Sequence, residues 1–107
     1  MGSTAEHQCL VNSILVKYGA LPQLRIWKNA TGSAQVNGRY LKFGLIGSSD
    51  IIGISYRGQF LAIECKTGSA KQSPQQILFQ KMIEKFGGIY VLARKVEDVQ
   101  LLVDSIS

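Results

Sequence analysis

The spacing of apolar residues along the chain predicts three helices. In each of them apolar side chains recur every three or four positions, which is the period of one helix face. Gly19 ends the first pattern, and Ser73 followed by Pro74 suits the N-cap and first turn of the second. The predicted helices cover residues 3–18, 74–86 and 96–105.

Shorter apolar or alternating runs predict strands. They cover residues 23–28, 50–56, 59–66 and 89–93, with a further short candidate at 40–43. Arg57-Gly58 marks a hairpin turn, and the Gly-, Asn- and Ser-rich residues 29–40 predict a long loop with a turn at Asn37-Gly38. Trp27 alternates with Ile26 and is expected in the core. The resulting order, α-β-β-β-α-β-α, indicates an α/β fold with a mixed sheet flanked by helices.

Composition narrows the class of protein. A chain of 107 residues with 46% hydrophobic and 18% charged residues is typical of one globular domain, here residues 1–107. The net charge of +5 and the isoelectric point near 9.4 favour polyanionic partners, nucleic acid first. Only seven residues are acidic, and three of them, Glu6, Asp50 and Glu64, are isolated in neutral or basic surroundings.

The cysteines and the single histidine give no metal pattern. Cys9 and Cys65 form no CxxC pair, and neither has zinc-ligand spacing with His7. Both cysteines lie in apolar runs and are expected to be buried, reduced thiols of a cytoplasmic protein. His7 is expected on the surface or at the start of the first helix. No run resembles a signal peptide or approaches the ~20 apolar residues of a membrane span, so no membrane association is expected.

The strand predicted at residues 59–66 carries the most unusual side chains. Because strand side chains alternate, Glu64 and Lys66 share one face, and the simplest interpretation is an ion pair at a strand end. Asp50 opens the strand that the hairpin pairs with this one, which places it near Cys65. A slip of one residue in the pairing decides whether Asp50 faces Glu64.

Two adjacent carboxylates repel each other unless one is protonated or a cation lies between them. Oxygen ligands at an open strand end suit Mg²⁺, which keeps several waters and accepts phosphate oxygens. Such an ion activates a water, while Lys66 supplies a positive charge beside the reacting phosphate. If Asp50 faces Glu64, the pattern therefore predicts phosphodiester hydrolysis.

Thirteen residues separate Asp50 from the segment Glu64-Cys65-Lys66. This arrangement resembles the D-(x)n-E-x-K core of the PD-(D/E)XK nuclease superfamily. More narrowly, the chain resembles the virus-type replication-repair nuclease (VRR-NUC) family. The segments that carry this resemblance are RIWKNATG at 25–32, KFGLIGSSDIIGI at 42–54, FLAIECKTG at 60–68, SPQQ at 73–76 and VLARKVEDV at 91–99. Ser49 departs from the proline of the superfamily name. The resemblance implies a restriction-endonuclease-like fold.

The resemblance also implies roles for individual residues. The implied catalytic residues are Asp50, Glu64, Lys66 and Gln76, and the implied metal ligands are Asp50, Glu64, Glu6 and the backbone carbonyl of Ile63. In a nuclease some basic or polar side chains contact phosphates, and the candidates are Lys71, Lys42, Arg39 and Asn29. Lys71 is favoured among these because its loop leaves the catalytic strand directly.

Three of these residues also have simpler interpretations. Glu6 lies three residues after Ser3, which is the spacing of a helix capping box. Gln76 suits an ordinary polar position in the first turn of its helix. Asn29 suits the capping of a turn. The sequence leaves these alternatives open.

The expected function is that of a Mg²⁺-dependent, structure-selective DNA endonuclease. Mn²⁺ is expected to substitute for Mg²⁺. The expected substrate is branched DNA, specifically a four-way Holliday junction cut by a homodimer, in a cytoplasmic protein of bacterial or phage origin. The alternatives are a DNA-binding module that does not cut, a flap or nicking nuclease on other branched DNA, and a metal-free structural dimer whose acids pair with lysines.

Overall fold

The computed structural model describes residues 4–30 and 32–106, apart from the side chains of residues 32–34 and 41–43. It contains helices α1 Ala5–Tyr18, α2 Pro74–Lys85 and α3 Gln100–Ser105, the last preceded by a 3₁₀ helix, Val96–Val99. Its strands are β1 Leu24–Lys28, β2 Gly32–Val36, β3 Arg39–Phe43, β4 Ile51–Ser55, β5 Phe60–Cys65 and β6 Ile89–Ala93. The three predicted helices and the four main predicted strands are confirmed within a few residues.

Four of the strands form one mixed sheet in the order β1-β4-β5-β6. The β1–β4 and β4–β5 pairs are antiparallel and the β5–β6 pair is parallel, with α2 connecting the two parallel strands. The predicted α/β fold with a mixed sheet is therefore confirmed. In the described parts of the chain, no helix has the length and apolar character needed to cross a lipid bilayer.

Helices pack on both faces of the sheet, so β5 is buried on both sides. On one face Leu61, Ile63 and Cys65 join the core with α1 and α3. On the other face Ala62 packs against Phe79 and Ile83 of α2. Burial on both faces explains the nearly continuous apolar run of this strand. Glu64 follows Ala62 on the α2 face, where it is the charged residue at the end of an apolar strand.

The prediction of a long loop over residues 29–40 is wrong, because β2 and β3 form a hairpin there. The turn predicted at Asn37-Gly38 is confirmed, since both residues have positive φ, 52° and 75°. Positive φ is accessible to Asn and Gly at low cost, and it matches the twist of the flanking strands. We call this hairpin, residues 32–43, the β2–β3 arm.

Trp27 is not in the core, contrary to the expectation, and its side chain is 50% exposed. Leu24 and Ile26 take the buried face of β1, so Trp27 points to the opposite face. There α2 packs against β6 at the other edge of the sheet and leaves β1 and β4 open. The paired strand β4 accordingly exposes Ile54 on the same side.

The two cysteines have different environments, so the expectation that both are buried holds only for Cys65. Cys9 is exposed, because the buried stripe of α1 runs through Leu10, Val11 and Ile14. Cys65 is fully buried, and burial raises its pKa to about 12, with smaller contributions from Asp50 and Glu64. Cys65 is therefore an unreactive core thiol.

Candidate functional site

The register of the β4–β5 hairpin brings Asp50 to Glu64. Ile51 pairs with Ile63, and one further step along the ladder puts Asp50 opposite Glu64. This is one residue away from the pairing expected from the turn. The Asp50 carboxylate also accepts a hydrogen bond from the backbone N–H of Cys65, with 2.9 Å between N and Oδ2. The two carboxyl groups are close enough to share a hydrogen bond when Glu64 is protonated.

Glu64 lies at the centre of the site. Its side chain is almost fully buried; Oε2 lies 3.5 Å from Lys66 Nζ, and Oε1 is buried with no hydrogen-bond partner among the described residues. Burial raises the pKa of Glu64 to about 7, and the Asp50 charge adds to the shift while the Lys66 charge opposes it. The neutral carboxyl group is therefore favoured below about pH 7, and a further cation beside the pair would favour the ionised form.

Gln76 both caps α2 and contacts Glu64. Its Oε1 accepts from the backbone N–H of Ser73 at 2.8 Å, and Ser73 Oγ accepts from the Gln76 N–H, which completes a capping box. Its Nε2 donates to Glu64 Oε2 at 3.0 Å. The cap fixes the side chain of Gln76, so the start of α2 holds the Glu64 carboxylate in one orientation.

Asn29 fixes the loop that carries Asp50. Its backbone N–H donates to the Asp50 carbonyl at 2.8 Å, and its Nδ2 donates to Ser48 Oγ at 2.8 Å and to the Ser49 carbonyl at 2.9 Å. These three bonds tie the end of β1 to residues 48–50. The structure thus gives Asn29 a positioning role beside the site, close to the turn-capping alternative.

His7 lies in the first turn of α1, as expected from the sequence, but its contact with Asp50 was not predicted. Its Nε2 lies 3.2 Å from Asp50 Oδ2, and its Nδ1 is buried without a partner among the described residues. His7 precedes Leu10 and Val11 by three and four positions, so helical spacing places it on the buried stripe of α1. His7 and Asp50 line a cleft of about 260 Å³ that also includes Asn29 and Lys28.

Glu6 is exposed, and no described contact brings it to Asp50 or Glu64. Its proposed capping partner Ser3 lies outside the described residues. The observed N-cap of α1 is Thr4, whose Oγ1 accepts from the His7 N–H at 3.1 Å. At the start of α1 it is therefore His7, rather than Glu6, whose side chain contacts the site.

The other predicted site residues are more dispersed. Ile63 pairs with β4 and β6 on its two sides, and no described contact joins its carbonyl to the carboxylates. Lys71 is exposed on the loop between β5 and α2, which Arg94 holds through the carbonyls of Gly68 and Ala70. Arg39 is exposed on the β2–β3 arm, and the side chain of Lys42 lies outside the described residues.

The oxygens of Asp50 and Glu64 suit a hard divalent cation. Within residues 4–30 and 32–106, no group of three His, Cys, Asp or Glu side chains is clustered tightly enough to hold a metal by itself. Mg²⁺ does not need such a cage, because it commonly takes one or two carboxylates, waters and substrate phosphates. The unpartnered Oε1 of Glu64 and the mutual repulsion of the carboxylates both favour a cation between them.

Comparison with known proteins gives no family assignment, since no protein-family model and no curated protein matches the chain.

Proposed function

We propose that this protein is a Mg²⁺-dependent, structure-selective DNA endonuclease with a restriction-endonuclease-like fold, similar to the VRR-NUC family. The observation that carries the proposal is the convergence of Asp50 on Glu64. Oε2 of Glu64 also pairs with Lys66 and accepts a hydrogen bond from Gln76. An ordinary ion pair at a strand end requires neither the second carboxylate nor the capped glutamine.

Different residues of the chain would bind the metal ion and orient its ligands. Asp50 and Glu64 would hold the ion, which when bound lowers the pKa of a water and neutralises negative charge on the phosphate. Gln76 and the Cys65 N–H orient the two carboxylates, so their lone pairs are set before the substrate arrives. Such preorganisation avoids a reorganisation cost during the reaction.

Lys66 is the residue that acts on the reacting phosphate. Its side chain is only 17% exposed, and Nζ lies 3.5 Å from Glu64 Oε2, at the end of the same strand face. From there the ammonium group orients the attacking water or donates to a phosphate oxygen as negative charge develops. The same charge stabilises ionised Glu64 and so prepares it for a cation.

The substrate in this proposal is branched DNA, in particular a four-way junction cut by a homodimer. The net charge of +5 supports a polyanionic partner. A small domain offers little surface for reading base sequence, so recognition of DNA shape and backbone suits it better. Two-fold symmetry would supply the two active sites that paired cuts across a junction require.

The test is cleavage of a labelled four-way junction and of a linear duplex of the same sequence, with Mg²⁺ or Mn²⁺. We expect paired cuts in the junction, much slower cutting of the duplex, and no cutting by Lys66→Ala. Lys85→Ala is the matched control, because Lys85 is exposed at the far end of α2. Absence of cleavage by the wild type with either metal would overturn the proposal, and monomers on DNA in sedimentation would remove the paired-cut mechanism.

A second candidate is a DNA-binding module that does not cut. It is favoured by the absence, among the described residues, of a three-ligand cluster that would hold a metal without substrate. The two candidates differ in one titration. In a calorimetric titration with Mn²⁺, the nuclease binds the ion through Asp50 and loses that binding in Asp50→Asn, whereas the non-cutting module shows no Mn²⁺ binding that depends on Asp50.

A further inference from the structure

The β2–β3 arm stands apart from the body of the protein. Its two strands pair only with each other, and no hydrogen bond among the described residues joins residues 32–43 to the four-stranded sheet. The molecule measures 48 × 29 × 26 Å and its radius of gyration is 14.2 Å, against about 13 Å for a compact chain of this length.

The arm has its root in the candidate site. The chain enters the arm just after Asn29 and returns to Ser48, Ser49 and Asp50, which Asn29 ties down with three hydrogen bonds. The chain segments on the two sides of the arm are therefore held together next to Asp50. This arrangement needs no assumption about the chemistry at Asp50.

The composition of the arm suits a polyanion. No Asp or Glu stands between Glu6 and Asp50, whereas the arm itself carries Arg39 and Lys42. Every residue from 35 to 40 is exposed, and Tyr40 is exposed to 76%. An isolated two-stranded hairpin buries too little to be stable by itself, so a partner that covers this ribbon also stabilises it.

We propose that the β2–β3 arm is a DNA-binding arm that grips the duplex beside the scissile phosphate. A two-stranded β-ribbon fits the major groove of B-DNA, and the cations of the arm pair with the phosphates along it. Strands of this length reach about 17 Å, so the arm contacts DNA up to about five base pairs from the phosphate at Asp50. This inference rests on the proposed function for the identity of the partner.

The test compares Arg39→Ala/Lys42→Ala with Arg57→Ala/Lys85→Ala. Each double variant removes one Arg and one Lys, but Arg57 lies in the β4–β5 turn, at the opposite end of that hairpin from Asp50 and Glu64. Binding of a fluorescein-labelled duplex and junction is measured by anisotropy in EDTA, between about 50 and 200 mM salt. We expect the arm variant alone to lower the slope of log K against log salt by about 2.

Cleavage at saturating protein separates binding from chemistry. The arm variant is expected to cut more slowly than the wild type at low protein concentration and to regain most of that rate once the DNA is saturated, because the arm does not touch the reacting atoms. Arg39→Glu against Arg57→Glu is the second matched pair, and it is expected to weaken binding at least tenfold only at Arg39. Circular dichroism and thermal unfolding verify that every variant is folded.

Each outcome decides between the two proposals. Equal affinity and salt slope in the two double variants, or a wild type that binds no DNA, would overturn the arm proposal. If only the arm variants lose binding, and the wild type cuts DNA with none of the metals tested, the arm proposal is supported and the nuclease proposal is overturned. If the arm variants bind and cut DNA as the wild type does, the nuclease proposal stands and the arm proposal is overturned.

Discussion

Gln76 donates a hydrogen bond from Nε2 to Glu64 Oε2 at 3.0 Å, while its Oε1 accepts from the backbone of Ser73. One side chain thus caps α2 and orients the central carboxylate. The relationship couples the folding of a helix start to the geometry of the site.

This double role can be separated by mutation. Gln76→Ala removes the capping acceptor and the donor to Glu64, whereas Ser73→Ala removes only a capping hydroxyl. We expect each variant to lower the free energy of unfolding by about 1 kcal/mol. Only Gln76→Ala is expected to reduce junction cleavage, by about tenfold or more, because Glu64 loses its fixed orientation. Equal cleavage in the two variants would show that Gln76 is only a capping residue.

The positions of Asp50, Glu64 and Gln76 were accessible to sequence reasoning for a simple reason. Two strands with period-two alternation and a short turn determine which side chains meet, to within one residue. Ser73-Pro74 likewise fixes the start of α2 and therefore the position of Gln76. These relationships are local, so they do not depend on how the rest of the chain packs.

The errors concern non-local packing. Trp27 is exposed because α2 covers only part of its face of the sheet, which no pattern within β1 reveals. The short strand candidate at 40–43 is confirmed as β3, but β2 was missed because a Gly- and Ser-rich segment has weak strand propensity, and pairing across the turn overrides it. The contact of His7 with Asp50 was missed although helical spacing places His7 on the buried stripe, since a lone histidine at a helix start has many ordinary roles.

Lys66 is predicted to act in the chemical step rather than in metal binding. Lys66→Ala removes the ammonium group 3.5 Å from Glu64 Oε2, so we expect cleavage at saturating DNA to fall by about 10²-fold or more. Mn²⁺ binding measured by calorimetry should persist, because both carboxylates remain. Lys85→Ala supplies the control for loss of one positive charge, and a similar loss of cleavage in both variants would contradict the assignment.

His7 and Glu6 offer a test at adjacent positions. His7 Nε2 lies 3.2 Å from Asp50 Oδ2, whereas Glu6 is exposed without a described contact to the site. We expect His7→Ala to weaken Mn²⁺ binding and cleavage severalfold, His7→Gln to restore part of both, and Glu6→Gln to change neither. Loss of metal binding in Glu6→Gln with normal His7→Ala would instead support the ligand role that the family resemblance implies for Glu6.

The raised pKa of Glu64 predicts a pH-dependent stability in the absence of metal. Burial, with the Asp50 charge second, raises this pKa from 4.5 to about 7. Between these two values the folded protein keeps a proton that the unfolded chain releases, so the free energy of unfolding falls as the pH rises. The contribution is fully present below the unfolded pKa, is lost above the folded one, and amounts to at most about 3 kcal/mol.

Urea unfolding in EDTA at about pH 5 and about pH 8 measures this effect. Glu64→Gln should flatten the pH dependence, whereas Glu84→Gln, at an exposed position of α2, should keep it. Mg²⁺ should stabilise the wild type more at the higher pH, because the cation binds the ionised carboxylate and displaces its proton. The same pH dependence in Glu64→Gln and the wild type would show that another group is responsible.

Gly47 and Gly58 form a matched pair that tests how the loop delivers Asp50. Their φ angles are +83° and +87°, so alanine is strained at both, at a cost of roughly 1–2 kcal/mol. A Cβ on Gly47 would also lie 2.5 Å from the Gln75 carbonyl oxygen, whereas one on Gly58 meets nothing within 4 Å. Gly47→Ala must therefore push the loop at residues 47–49 away from the start of α2 and displace Asp50 from Glu64.

We expect both variants to lose stability, as measured by urea unfolding. Only Gly47→Ala is expected also to lose cleavage in the junction assay and Mn²⁺ binding in calorimetry. If both variants cut the junction equally well, close packing of this loop on α2 does not set the position of Asp50.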